Sequence, residues 1–220
     1  MPCSTCRMPQ LAAHSPRVIQ RLFAYFMSTQ EDLMDETYGD RKRALFTALP
    51  DSLVEIGPGA GANFRYYAPA TEIIAVEPNP FMAQYLVREA EKYSLKLRLE
   101  HASAESIPLP NDSVEAVVCT LVLCSVESQE KVLREVFRIL KPGGRFLFLE
   151  HVAAQPATWN RRMQNAVRPA WQFLADGCVT NRETWRVLEG IPFTSCEIEH
   201  FRAEIPLPLI KPHIAGWAMK

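Results

Sequence analysis

The residues best suited to chemistry form a glycine-rich turn after a short apolar stretch. The glycines are Gly57, Gly59 and Gly61, and Glu55 precedes the first of them by two residues. Glycine lets the backbone approach a ligand closely and adopt left-handed conformations. A second acid, Glu77, ends the next apolar run about 20 residues further on, where a carboxylate can accept hydrogen bonds from ribose hydroxyls. The pattern predicts a site for an adenosine-containing cofactor.

The turn by itself leaves other interpretations open. A tight connection between a strand and a helix uses glycine even where no ligand binds. The spacing also departs from the G-x-G-x-x-G fingerprint of dinucleotide-binding proteins, because Ala62 stands at the third glycine position. A nicotinamide-dependent enzyme is therefore a less favoured alternative.

Further candidates follow the ends of the next predicted strands. In an open parallel sheet the carboxyl ends of neighbouring strands meet at one edge, and ligands bind there. This edge adds six residues to the predicted cofactor site: Pro78, Asn79, Ser103, Ala104, Glu105 and Thr120.

The elements that must position these residues alternate along the chain. This alternation predicts an α/β fold with a doubly wound, mostly parallel, seven-stranded sheet. Strands are predicted at 52–56, 72–76, 96–100, 114–120, 145–150, 195–202 and 213–219, and helices at 16–29, 41–49, 62–67, 80–93, 128–140, 156–175 and 181–189. We expect a loose tail over 1–15 and one domain over 16–220. That domain comprises a helical lid (16–50), a cofactor-binding core (51–152) and a substrate-side part (153–220).

Composition narrows the class of protein. The 220 residues are 48% hydrophobic with a net charge of −1, which is typical of one globular domain and gives no reason to expect nucleic acid as a partner. The six cysteines are scattered, which indicates reduced thiols and a cytoplasmic protein. Cys3 and Cys6 form a single C-x-x-C without two further nearby ligands, so we predict no metal site.

Several strings resemble known families. The glycine turn, Glu77, 103–105 and 140–144 look like the class I S-adenosylmethionine-dependent methyltransferases. A closer resemblance, from about residue 23 to the C-terminus, is to the methyltransferase-like thiol S-methyltransferases of animals. It rests on 118–126, 131–136, 150–152, 176–178, 182–185 and 212–216.

The resemblance implies a Rossmann-like methyltransferase sheet that binds S-adenosylmethionine. It assigns the ribose hydroxyls to Glu77, the methionine part to the three glycines and the adenine edge to Ser103 and Ala104. Many relatives have aspartate where Ser103 stands. The implied acceptor is a small, apolar thiol, which is partly ionised at neutral pH and needs little help from a base.

On the acceptor side we predict Asp176 and His151 as catalytic residues, and Cys124, Trp171, Cys178 and His213 as substrate contacts. Each has a structural alternative. Asp176 could cap a helix, His151 could be a polar residue at a strand end, and Cys178 could serve packing. Arsenic methyltransferases bind their substrate through cysteines, but Cys119 and Cys124 on one strand do not present such a cluster.

Three alternatives stay open for the whole chain. The enzyme could methylate oxygen or nitrogen of a small metabolite or lipid precursor, or the chain could bind the cofactor without catalysis as an interaction protein. The helix at 16–29 could rest on a membrane surface instead of covering the cofactor. The animal relatives carry an apolar N-terminal anchor, whereas 1–15 is polar, so we expect at most peripheral contact with membranes. The sequence predicts no oligomeric state.

Overall fold

The computed structural model of the protein describes residues 16–175 and 177–220. The tail predicted at 1–15 and the candidate residue Asp176 lie outside the described residues. Within the described ranges, no helix combines the length and the apolar character needed to span a bilayer.

Seven strands form one sheet in the order β3-β2-β1-β4-β5-β7-β6. Their bounds are β1 (Ser52–Ile56), β2 (Glu72–Val76), β3 (Lys96–Glu100), β4 (Val114–Thr120), β5 (Leu140–His151), β6 (Ser195–Arg202) and β7 (Pro212–Met219). The first five strands pair in parallel, and β7 runs antiparallel to both β5 and β6. The predicted mostly parallel, seven-stranded sheet is confirmed. The carboxyl ends of β1 to β4 share one edge, and the strand order reverses between β1 and β4.

Helices cover both faces of the sheet. They are α1 (Arg17–Ser28), α2 (Glu31–Leu45), α3 (Ala83–Lys92), α4 (Gln129–Ile139), α5 (Trp159–Leu174) and α6 (Thr184–Glu189). Successive side chains of a strand point to opposite faces. Accordingly, Leu53 belongs to one apolar cluster with Leu86 of α3, and Val54 to another with Val132 of α4. The doubly wound arrangement is therefore confirmed.

Helix α2 is longer than predicted and begins well before residue 41. Charged residues dominate its sequence, and the side it buries carries only Tyr38, Gly39 and Lys42. An apolar stripe at helical spacing is therefore absent, and the helix depends on tertiary packing. For this reason hydrophobic periodicity did not reveal it.

The prediction of a helix at 62–67 is wrong. The glycine turn leads instead into a single 3₁₀ turn, Phe64–Tyr66. Asn63 donates from its amide to Glu55 and Thr120, and the rings of Phe64 and Tyr67 are buried in the core. These contacts hold the segment close to the sheet. The cofactor edge therefore lacks the helix N-terminus that we expected directly after the turn.

Candidate active site

The glycine turn lies at the carboxyl end of β1, at the point where the strand order reverses. Gly57, Gly59 and Gly61 all have positive φ, at 59°, 58° and 92°. A Cβ at Gly57 would lie 2.6 Å from Cγ2 of Val122, whereas a Cβ at Gly59 would meet nothing within 4 Å. The turn is therefore tightly packed at Gly57 and open at Gly59, as a backbone that approaches a ligand requires.

Glu77 lies directly beside this turn. Its buried carboxylate accepts hydrogen bonds from the backbone N–H of Gly59 (3.1 Å) and of Asn79 (2.9 Å). Asn79 in turn caps the next turn through Phe81 N–H (3.0 Å) and donates from Nδ2 to the carbonyl of Gln20 (3.2 Å). Half-buried Pro78 connects the two polar residues. The contacts join the second acid, the glycine turn and helix α1 in one network.

Glu55 lies beneath the turn and is 1% exposed. Its two carboxylate oxygens accept hydrogen bonds from Asn63 Nδ2 and from the Tyr67 hydroxyl, both at 2.8 Å. Burial raises the pKa of Glu55 to about 7, although these two hydrogen bonds lower it. Asn63 Nδ2 also donates to Thr120 Oγ1 (2.9 Å), which joins β1 to the end of β4. Glu55 thus supports the turn from below.

Glu105 fixes the segment that follows β4. Its carboxylate accepts hydrogen bonds from the Ser103 hydroxyl and from the backbone N–H of Glu127 (2.8 Å) and Ser128 (3.3 Å). Burial raises the pKa of Glu105, but the hydrogen bonds, led by that from Ser103, bring it below its ordinary value. Ala104 between them is buried. Glu105 therefore positions the loop at this edge.

A second group of side chains meets at the ends of β4 and β5. The imidazole Nε2 of His151 lies 3.1 Å from Sγ of Cys178, and the indole N–H of Trp171 donates to the same sulfur at 3.2 Å. Cys124 completes the group, since its sulfur, the Cys178 sulfur and a ring nitrogen of His151 all lie within 4.8 Å of one another. Cys124 and His151 are buried and Cys178 is half-buried. Four predicted acceptor-side residues thus lie together.

Backbone contacts hold the two cysteine-bearing segments against each other. The carbonyl of Cys124 accepts from Val179 N–H at 2.9 Å. The guanidinium of Arg182 donates to the carbonyls of Leu123 (3.1 Å) and Val126 (2.5 Å). The position of Cys124 relative to Cys178 is consequently set by the fold.

His213, the remaining predicted substrate contact, lies next to this cluster. Its ring centroid is 6.2 Å from that of His151. Nδ1 lies 2.9 Å from the carbonyl of Lys211, which can only accept, so Nδ1 donates and Nε2 accepts from the Tyr38 hydroxyl at 3.0 Å. Burial lowers the pKa of His213 to about 4, so the ring is neutral at physiological pH.

The pKa values within the cluster shift in opposite directions. A hydrogen bond with Cys178, assisted by the charge of His151, lowers the pKa of the Cys124 thiol despite its burial. The same hydrogen bond raises the pKa of the Cys178 thiol. Burial opposes a charge on His151, but the neighbouring Cys124 thiolate raises the pKa of its imidazole. The directions of these shifts favour ionisation of Cys124 over ionisation of Cys178.

Comparisons with known proteins decide the family. Residues 54–148 match the family model for a methyltransferase domain. The chain is 40% identical to human thiol S-methyltransferase TMT1A over 92% of its own length and 88% of that protein. It is 36% identical to human thiol S-methyltransferase TMT1B, over 90% of this chain and 86% of that one. The chain belongs to the thiol S-methyltransferase family.

A solved structure shares the fold of this methyltransferase. A methyltransferase from Thermotoga maritima, described as a possible histamine N-methyltransferase, matches with a TM-score of 0.66 and 18% identity, over 93% of this chain and 100% of that one. Together with the family, this confirms that the protein is an S-adenosylmethionine-dependent methyltransferase with a Rossmann-like sheet. Its methyl donor is S-adenosylmethionine.

The residues of the glycine turn fit this methyl donor. Gly59 leaves its outer side open, and Glu77 holds a carboxylate beside it. Among the described residues, Oδ1 of Asn63 is buried without a hydrogen-bond partner, so this edge also carries an unused acceptor. An ammonium group or a ribose hydroxyl supplies the donors that such acceptors need.

Three residues of the site are not among those predicted from the sequence: Asn63, Tyr38 and Glu150. Glu150 is fully buried and accepts from the backbone N–H of Val122 (2.9 Å) and Leu123 (3.0 Å), and burial raises its pKa to about 8. An acid that ends an apolar strand was a usable signal for Glu150. Asn63 follows the last glycine of the turn by two residues, and this position was a usable signal as well. Tyr38 lies in α2, which periodicity did not reveal.

Proposed function

We propose that this methyltransferase transfers a methyl group to the sulfur of a small, apolar thiol. One observation carries the proposal: Cys124, His151 and Cys178 meet at the carboxyl ends of β4 and β5. The same loop contacts the glycine turn, because Val122 packs on Gly57. The two human relatives are named thiol S-methyltransferases and match nearly the whole chain, which supports the same acceptor class.

The geometry and the family support the following residue roles at the donor side. S-Adenosylmethionine supplies a methyl group that is already activated on a sulfonium centre. Glu77 accepts hydrogen bonds from the ribose hydroxyls, and Gly59 admits the methionine part along its open side. Ser103 and Ala104 border the adenine. Glu55 and Glu105 keep the turn and the loop after β4 in place.

At the acceptor side, the protein mainly orients the nucleophile and excludes water. A thiol is far more acidic than an alcohol, as the pKa of about 8.5 of the cysteine side chain illustrates, so a strong base is not required. His151 Nε2 lies 3.1 Å from Sγ of Cys178 and is placed to hold the acceptor's thiolate. Trp171 and neutral His213 supply ring surface for an apolar substituent. A positioning role for Asp176 stays a prediction.

We also propose that 16–50 acts as a lid and that the protein works in the reducing cytoplasm. Helix α1 is tied to the cofactor edge through Gln20 and buries Ala24 in the core, which supports the first proposal. Free thiols at Cys119, Cys124, Cys178 and Cys196 support the second. We propose neither nucleic acid nor an integral membrane as a partner.

The test is turnover of matched acceptors by the purified full chain. Small alkyl thiols, the corresponding alcohols, phenols and amines are incubated with S-adenosylmethionine, and the products are identified by mass spectrometry. We expect methylated thiols and almost no methylated aliphatic alcohols, because an alcohol offers almost no anion without a strong base.

One variant and a matched control test where the acceptor binds. His151→Gln should lower turnover of the thiol by roughly 100-fold, as misplacement of a reacting group does, and leave the affinity for S-adenosylhomocysteine unchanged. His200→Gln, on exposed β6, is the matched control and should behave as wild type. Faster turnover of a phenol or amine than of every thiol would favour an O- or N-methyltransferase. Cofactor binding without turnover of any acceptor would point to a non-catalytic binding protein.

A further inference from the structure

We propose that Cys124, His151 and Cys178 bind one thiophilic metal ion of the Zn²⁺ class and leave one coordination position open. The open position would take the sulfur of the methyl acceptor, and this part rests on the proposed function. The sequence predicts no metal site, because neither Cys3 with Cys6 nor Cys119 with Cys124 supplies a complete set of ligands. The fold instead combines Cys124 with two residues that are distant in the chain.

The distances in the cluster suit a tetrahedral ion. Zn–S bonds of about 2.3 Å and Zn–N bonds of about 2.0–2.1 Å separate neighbouring ligand atoms by roughly 3.5–3.8 Å. Nε2 of His151 and Sγ of Cys178 are 3.1 Å apart, and all three ligand atoms lie within 4.8 Å of one another. Small rotations of the side chains would therefore complete the site.

The ligand set is typical of a metal site that keeps a position for substrate. Two cysteines and one histidine give three protein ligands, and catalytic zinc sites with this set bind water or substrate as the fourth. Soft thiolate ligands favour Zn²⁺ or Cu⁺ over Mg²⁺ and Ca²⁺. Among the described residues this is the cluster of histidine, cysteine and acidic side chains that could hold an ion.

The surroundings support ligation through these three atoms. The indole N–H of Trp171 donates to Sγ of Cys178 at 3.2 Å, as outer donors do for metal-bound thiolates. The three ligands lie on a loop, a strand end and a segment after a helix. The hydrogen bond between Val179 and Cys124 fixes the segment of Cys178 against the loop of Cys124.

Such an ion would account for the lack of a strong base at the acceptor side. A thiol that coordinates a metal loses its proton, and this proton leaves to solvent or buffer. The acceptor sulfur then uses a lone pair to form the new S–C bond. The bond from the methyl carbon to the sulfonium breaks, and its electron pair stays on the cofactor's sulfur. The products are two neutral thioethers, which bind a metal more weakly than a thiolate.

The decisive experiment is metal titration of the reduced, metal-free full chain. Zn²⁺ is titrated against a chromophoric chelator, and Co²⁺ is added in a parallel sample to follow the sulfur-to-cobalt absorption band. We expect one ion per chain and a thiolate–cobalt band. Cys124→Ser and Cys178→Ser should lose more affinity than the ~10–100-fold that follows removal of an outer partner of a metal ligand.

Cys196→Ser is the matched control, because Cys196 is exposed on β6, away from the cluster. Each variant is first shown to bind S-adenosylhomocysteine like wild type, which confirms its fold. The proposal is overturned if wild type binds no Zn²⁺ or if both site variants bind it as tightly as the control. Loss of Zn²⁺ binding only after oxidation to a Cys124–Cys178 disulfide would support the site.

Acceptor binding and activity separate this proposal from the proposed function. A small thiol should shift the cobalt band, whereas the corresponding alcohol should not. If metal-free enzyme methylates thiols at the full rate, the open position for the acceptor is refuted and the thiol methyltransferase stands. If metal binds and no thiol is methylated, the metal site stands and the proposed function fails.

Discussion

The two acids of the cofactor site differ in what their carboxylates contact. Glu55 bonds to the side chains of Asn63 and Tyr67 beneath the turn, whereas Glu77 bonds to backbone N–H groups of Gly59 and Asn79 beside it. An acid beneath the turn acts on stability. We propose that Glu77, the acid beside the open glycine, acts on the ligand.

Replacing Glu77 should therefore weaken cofactor binding. For Glu77→Gln we expect the affinity for S-adenosylhomocysteine to fall by about 1.5–3 kcal/mol, because a charged hydrogen-bond acceptor is lost. Glu72→Gln is the matched control, since Glu72 is exposed at the opposite end of β2. Isothermal titration calorimetry measures both, and equal affinities would show that Glu77 does not contact the ligand.

Substitutions at the glycines separate effects on folding from effects on cofactor binding. Gly57→Ala should destabilise the protein by about 1–3 kcal/mol, because its Cβ would overlap Val122. Gly59→Ala should cost only about 1 kcal/mol for a left-handed alanine, yet weaken cofactor binding at least tenfold by filling the open side of the turn.

Gly143→Ala is the control for both glycine variants. Gly143 has a φ of 78°, and a Cβ there would meet nothing within 4 Å. We expect the same small loss of stability and unchanged cofactor binding. Chemical denaturation and calorimetry provide the two measurements. Unchanged binding in Gly59→Ala would mean that the ligand does not approach this residue.

At the scale of elements, the segment after β4 joins the two halves of the site. Glu105 accepts a hydrogen bond from the backbone N–H of Glu127 at its far end, and Glu150 accepts from those of Val122 and Leu123. Arg182 donates to the carbonyls of Leu123 and Val126. Leu121 at its start has a φ of 60°, which is rare outside glycine. Such strain persists where surrounding contacts determine the backbone, and it often occurs at functional sites.

Helix α1 provides a test of the lid. Ala24 is fully buried against the core, whereas Tyr25 on the same helix is 64% exposed. Ala24→Leu should overpack this contact and lower the free energy of unfolding by about 1–3 kcal/mol. It should also displace α1 from the cofactor edge and weaken S-adenosylhomocysteine binding. Tyr25→Leu should change neither. Circular dichroism checks that both fold, and equal affinities for the cofactor product would argue against a lid.

At the scale of the whole molecule, Glu55 should make stability depend on pH. Its pKa is about 7 in the fold against an ordinary value of 4.5, so between these values the folded protein keeps a proton that the unfolded chain releases. The free energy of unfolding should consequently fall as pH rises from 4.5 to 7, by about 3 kcal/mol at most.

Comparison of wild type with Glu55→Gln isolates this contribution. The variant carries no charge at either pH and should therefore lack this part of the decline. Tyr67 can still donate to the new amide oxygen, so this hydrogen bond is kept. Glu72→Gln should keep the wild-type profile. Urea denaturation at several pH values gives the slopes. Parallel profiles for wild type and Glu55→Gln would show that Glu55 remains ionised in the fold.

Local patterns in the sequence were sufficient for the architecture, and they predict a donor side of the site. Alternation of strands and helices, the closely spaced glycines and Glu77 at the end of an apolar run depend only on neighbouring residues. Their physical basis is short-range: the pleat of a strand, the φ freedom of glycine and the shared edge of parallel strands. The length of helix α2 was underestimated, because the many charged residues in its sequence conceal the side that is buried.

Only the tertiary structure decided which acceptor-side residues meet. Cys124, His151 and Cys178 lie far apart in the chain, and their contact depends on β5 pairing with β4 and on the segment after α5 returning to the loop of Cys124. The support of Glu55 by Tyr67 and the bond from Tyr38 to His213 arise in the same way. Such contacts follow from packing between distant segments, which no local periodicity encodes.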